Sequence, residues 1–189
     1  RLKHMKTTNE SGFSYIDVMI AIVILMVGIL ALMSGMGGAV LQARSQEQQM
    51  VSKQIAASTM ESIMSVKETD PDRLGWQAVG NIGSNVDSGG VAHGVFVAGF
   101  QDVHEGAGPD EIIGTADDDG PTLPNVQRQI TIVDECDPDA PSYNCPTPGG
   151  NPVRFRNIRV DVRYFVGAVP RTETLQTVLT DYAIATDAG

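Results

Sequence analysis

The chain has 189 residues, a net charge of −10 and a hydrophobic fraction of 42%, enough for one ordinary domain plus an additional element. So acidic a balance lacks the basic footprint that a phosphate backbone requires, which argues against nucleic-acid binding. It suits a polar part that stays soluble beside a membrane, because the apolar residues are concentrated between Phe13 and Leu41.

The first stretch, "RLKHMKTTNES", carries Arg1, Lys3 and Lys6 and offers Met5 as a candidate start. Bases ahead of an apolar span favour keeping that end in the cytoplasm. The run "SGFSYIDVMIAIVILMVGILAL", Ser11 to Leu32, follows, and the next charge after Asp17 is Arg44. About twenty apolar residues suffice to cross a bilayer. A cleaved secretory signal would end soon after a shorter apolar region, at small residues. A plain anchor fits the length but gives no reason for Asp17, since a carboxylate in such a span is costly. Gly28, Gly35, Gly37 and Gly38 lower helix propensity in water. They are read equally as sites of close backbone approach in a helix bundle and as ordinary membrane-helix glycines.

"GFSYIDVMIAIVILMVGILAL" resembles the processing and methylation site of type IV prepilins and type II secretion pseudopilins. That pattern is a glycine, a phenylalanine, a few mostly apolar residues, a glutamate fifth after the cut, and a long apolar helix. Gly12 and Phe13 match the cleavage pair, and Asp17 stands at the glutamate position as a shorter carboxylate. The resemblance covers Ser11 to Leu41 and is architectural beyond; within the family it is nearest the PilV group of minor pilins. It implies residues 1–12 as a prepilin leader, cut by a prepilin peptidase between Gly12 and Phe13, and N-methylation of Phe13. It further implies that Asp17 pairs with the Phe13 amine of a neighbouring subunit, a contact strengthened by low dielectric. The implied partners are other pilin or pseudopilin subunits and an inner-membrane assembly platform. The implied setting is the bacterial inner membrane, single-pass, with the carboxy-terminal domain outside the cytoplasm, and then a filament.

Residues 13–41 are expected as the transmembrane and assembly helix and 42–70 as its amphipathic continuation. In "QARSQEQQMVSKQIAASTMESIMSVKE", Val51, Ile55, Thr59, Ser62, Ile63 and Val66 recur at spacings of three and four, with Met50, Ala57, Met60 and Met64 widening the stripe. The methionines read as core packing. Pro71 and Gly75 end the helix. From Phe13 to Glu68 it would be roughly 80 Å long.

Residues 71–189 are expected to form a globular antiparallel sheet domain with acidic and cysteine-bearing loops. "VAHGVFVAGF", Val91 to Phe100, reads as a strand, and Gln101 to Asn125 reads as loop. Asp110, Asp117, Asp118 and Asp119 crowd there with Glu111 in a Gly-rich setting. Oxygen-rich loops can hold Ca²⁺, and some pseudopilins carry such a site. The run lacks the EF-hand pattern, and a merely solvated acidic loop is the other reading. "QRQITIV", Gln127 to Val133, alternates as a strand. Cys136 and Cys145, in a Pro-rich run, would close a small disulfide ring in an oxidising compartment; free thiols or half a metal site are the alternatives. "RFRNIRVDVRYFV" is the clearest strand, with Arg156, Ile158, Val160, Val162, Tyr164 and Val166 on one side. Asn157, Arg159, Asp161 and Arg163 fall on the other. After "GAVPR", the segment "TETLQTVLTDYAI" completes an antiparallel hairpin. One long helix followed by strands predicts an α+β fold of pilin-like form, with the carboxy-terminal antiparallel sheet burying the helix's apolar face.

His93 and His104 are isolated, His4 lies ahead of the processing site, and no triad, HExxH, P-loop or GxGxxG-plus-acid pattern occurs. Trp76 reads as a packing anchor. The expectation is therefore a structural subunit rather than an enzyme, with no cofactor beyond the Ca²⁺ considered above. The alternative is a membrane-anchored extracytoplasmic binding module that does not polymerise.

Overall fold

The computed structural model describes residues 12, 14–69, 74–87, 89–135 and 153–181. Helix α1 runs Tyr15–Glu68 and the short α2 Gly75–Ala78. Four strands follow: β1 Phe100–Gly106, β2 Asp119–Glu135, β3 Phe155–Val166 and β4 Val169–Thr180. The fold is α+β. Chain contacts divide the molecule between Arg44 and Ser45.

In the first unit, α1 is apolar on every side. Its most apolar window has a mean hydropathy of 2.9, long and apolar enough to cross a membrane. Each large apolar side chain from Tyr15 to Leu41 is at least 47% exposed. An all-round apolar helix without protein around it is suited to lipid or to other helices.

In the second unit, the strands form one antiparallel sheet in the order β1-β2-β3-β4. The helix from Ser45 onward is rich in Gln, Glu, Ala, Met and Lys, all good helix formers. Lys67 stands in its last turn, where a cation complements the helix dipole. Ala56, Met60, Ile63 and Val66 of α1 join Phe96, Ile112, Ile130, Ile158, Val160 and Val162 in one core cluster. Each fully buried aliphatic side chain there contributes roughly 1.5–3 kcal/mol.

The buried face of α1 is Ser52, Ala56, Thr59, Met60, Ile63 and Val66; Thr59, Met60, Ile63 and Val66 belong to the stripe expected above, and Ser52 and Ala56 do not. Val51, Met50, Ala57 and Met64 face outward instead. Hydrophobic spacing missed Ser52 and Ala56 because small residues serve the interface there. Ser52 is fully buried with its hydroxyl donating to Gln48 O at 2.8 Å, and Thr59 is fully buried too.

Three strand boundaries also differ. Val91–Phe100 is not a strand: it makes only the isolated bridges Asn81↔Phe96 and Val86↔Ala92, and pairing begins at Phe100. Gly94 lies so close to the Asn81 carbonyl that a Cβ would collide with it, which favours an irregular chain there. Conversely, the Gln101–Asn125 stretch read as loop contains most of β1 and the start of β2. Pro121 and Pro124 are tolerated because β2 up to Asn125 pairs only with β1, across two register shifts. β4 begins at Val169, earlier than expected, directly after a two-residue turn with Gly167 at φ 63°. β3 has the expected sides, with Arg156, Ile158, Val160, Val162 and Tyr164 buried.

Candidate functional site

The amino-terminal residues come first in the chain. Gly12 is exposed, and Phe13 lies outside the described residues. Ser14 precedes the first helical residue, Tyr15. The Asp17 amide donates to Ser14 O at 2.9 Å, and Asp17 Oδ2 accepts from the Ser14 amide at 3.3 Å. This S-x-x-D arrangement resembles a capping box, in which the acid three residues after the cap satisfies a free backbone donor. Asp17 thus has a local task as well as a charge to present. It is the one charged side chain between Glu10 and Arg44, at the start of a helix whose first part, as far as Leu41, is exposed on all sides.

The acidic loop between β1 and β2 sorts its aspartates by position. Asp110 Oδ1 accepts from the Ile112 amide at 2.8 Å. Asp117 accepts from the Thr115 hydroxyl at 2.6 Å and from the Asp110 amide at 3.3 Å. The Thr115 hydroxyl is the largest of the influences holding the Asp117 carboxyl below its ordinary pKa. Asp118 turns inward: both its oxygens accept from the Gly114 amide, at 3.0 and 3.1 Å, and Oδ2 takes Arg128 Nη2 at 2.6 Å. Asp119 is exposed at the start of β2. Three of the four carboxylates considered for Ca²⁺ are therefore engaged by donors of the chain, and the fourth, Asp119, is exposed. Among the described residues no three His, Cys, Asp or Glu side chains come together in a way that could hold a metal ion. Cys136 and Cys145 lie outside the described residues.

Arg128 was the residue sequence reasoning missed. It is buried on the α1-facing side of β2, between that strand, the loop and Thr59 of α1, to which Nη1 is directed at 3.5 Å. The loop is tied to α1 again where the Ile113 amide donates to Ser62 Oγ at 2.9 Å. The alternation "VQRQITIV" carried the signal, since it places Arg128 on the side of Ile130 and Ile132. Beside this pair opens a cleft of about 330 Å³, lined by Gln101, His104, Thr115, Asp118, Arg128 and Ile130 among others.

A second buried arginine closes the other end of the sheet. Arg156 Nε donates to Asp134 Oδ1 at 2.8 Å, Nη1 donates to Trp76 O, and the guanidinium stacks 4.1 Å over the Trp76 ring. Burial lowers the Arg156 pKa, and Asp134 opposes that shift. Trp76 Nε1 donates to Val153 O at 3.1 Å. Trp76 is thus a packing anchor with both polar ends engaged. Of the histidines, His93 meets Asp87 at 2.9 Å and His104 meets Gly120 O at 3.1 Å.

No family model matches this chain, and neither does any curated protein or solved structure.

Proposed function

We propose that this chain is a structural subunit, a minor type IV pilin or type II secretion pseudopilin, built into a filament drawn from the bacterial inner membrane. A prepilin peptidase cuts after Gly12 and the new Phe13 amine is methylated. The apolar helix then passes from lipid into the filament core on an assembly platform, with the sheet domain outside the cytoplasm. The observation that carries the reading is Asp17, a lone carboxylate at the exposed first turn of a helix apolar on every side. Such a charge is costly in hydrocarbon and becomes favourable when it meets a cation there. Cleavage after Gly12 creates that cation within the same few residues. The "GFSYID" pattern and the order of one long helix followed by an antiparallel four-stranded sheet support the same reading.

Subunit incorporation tests it. Cells producing the wild-type chain should yield it in sheared or pulled-down filament fractions, and Asp17→Ala should confine it to the membrane. A chain that stays in the membrane fraction as wild type, with no filament partner, would instead mark a non-polymerising anchored module.

A further inference from the structure

β4 is the last strand of the sheet, and no described strand pairs with its far side. The two-residue turn after Val166 closes the hairpin on the pair Val166↔Val169. In an antiparallel ladder, peptide groups alternate inward and outward from such a closing pair. The odd-numbered residues Val169 to Leu179 therefore turn their N–H and C=O groups to β3. The even-numbered ones turn theirs to the open edge. Pro170 is among the outward set, where a missing N–H breaks no internal bond.

Unpaired edges are usually short, bulged or charged. β1 fits that rule, being 7 residues long with two register shifts. β4 does not: it is 12 residues in unbroken register with β3. Its stretch Thr174 to Thr180 has no charge, proline or glycine, and Val178 is 51% exposed.

The charges flanking that stretch select a partner. Laid antiparallel against itself with Gln176 opposite its own copy, the strand sets Thr174 against Val178 and Thr172 against Thr180. Arg171 then faces Asp181 at both ends, an opposite-charge cross-strand pair. Asp181 is held in line by its amide, which donates to Arg154 O at 2.9 Å. All outward-facing groups meet, and Pro170 falls outside the ladder. Sliding one copy by two residues sets Glu173 against Asp181 in one direction and leaves both Arg171 and Asp181 without a charged partner in the other.

We propose that β4 pairs edge to edge with β4 of a second copy of this chain, antiparallel and centred on Gln176. The two-fold axis of that pair stands normal to the sheet, so the two copies have opposite polarity. If the chain forms the filament proposed above, whose subunits share a polarity, the contact joins two such assemblies side by side, but the pairing itself stands apart from that reading.

The test is sedimentation of the full chain in detergent micelles over a concentration series into the high micromolar range. Association through the apolar helix would be indifferent to β4, so the variants decide. Arg171→Asp and Asp181→Arg should each weaken dimerisation about tenfold by setting like charges opposite each other at both ends. The double variant should restore it. Val178→Pro removes an outward N–H without touching the β3 ladder and should abolish it, with far-ultraviolet circular dichroism confirming the fold. A monomeric wild type would overturn the proposal and leave the edge to another protein's strand. So would a dimer untouched by these changes, or single-variant losses that the double variant does not repair.

Discussion

Arg128 Nη2 donates to Asp118 Oδ2 at 2.6 Å, with the two side chains only 3% and 8% exposed. Through this pair β2 holds the loop that follows β1, and through Thr59 it reaches α1. Removing one partner strands the other charge in a poorly solvated place. Arg128→Ala should therefore cost about 3–5 kcal/mol, while the uncharged double replacement Arg128→Met with Asp118→Asn, which keeps an acceptor for the Gly114 amide, should cost less. Chemical denaturation followed by the fluorescence of Trp76, the chain's one tryptophan, measures both. Added salt should change the wild-type value little, because buried pairs are weakly screened.

Asn81 acts as a stand-in for a strand. Its Nδ2 donates to Ile130 O at 2.9 Å and its Oδ1 accepts from the Ile132 amide at 3.0 Å, just past the last β1 partner on β2, Gln129. Asn81→Leu would leave both backbone groups without their partner, at about 1–3 kcal/mol each. Hydrogen exchange at the Ile132 amide should accelerate in that variant. Asn81→Asp, which keeps the acceptor, should protect the Ile132 amide better than leucine does.

Asp87 organises the turn before β1. His93 Nε2 lies 2.9 Å from its Oδ2, and the Gly89 and Val91 amides donate to its Oδ1 at 2.8 and 2.9 Å. The His93 contact is the largest of the influences that lower the Asp87 pKa from the ordinary 3.8. A carboxylate depressed in the folded state adds stability above its unfolded pKa, and that contribution fades as pH falls through the lower folded value. Titration by carboxyl carbon resonance should place Asp87 below 3.8. Asp87→Asn should remove that acid-range dependence, and Asp87→Ala, which also removes the acceptor, should speed exchange at the Val91 amide.

The helix, the β3–β4 hairpin and the sides of β3 were legible because each rests on local periodicity. The 3.6-residue and two-residue repeats need no knowledge of partners. The face of α1 was legible at Thr59, Met60, Ile63 and Val66 but not at Ser52 and Ala56, which are buried by how little room they need, and Ser52 also by what it bonds, rather than by hydrophobicity. β1 and the first half of β2 were illegible for a related reason. "QDVHEG" and "DGPTLPN" have little strand propensity, and only their mutual pairing makes them extended. Alternation could place Arg128 on the inner side of β2, but nothing local could select Asp118 from several neighbouring aspartates. That choice is made by the loop's path over Ser62.

Substitution can separate the observed contact of Asp17 with the Ser14 amide from its proposed role as a charge. Asp17→Asn keeps an oxygen for the Ser14 amide and so keeps the helix cap, but it removes the charge. Under the proposed ion pair it should lose filament incorporation nearly as fully as Asp17→Ala, with helix content unchanged by circular dichroism. Asp17→Glu should preserve or improve incorporation. If Asp17→Asn assembles as wild type, the carboxylate matters as a cap alone.

The most direct measurement is mass spectrometry of the amino terminus in chains recovered from membrane and sheared-filament fractions. The proposed function predicts a mature chain beginning at N-methylated Phe13, with Asp17 as its fifth residue. An intact leader preceding Gly12 in both fractions, or a chain beginning beyond Leu32, would contradict it.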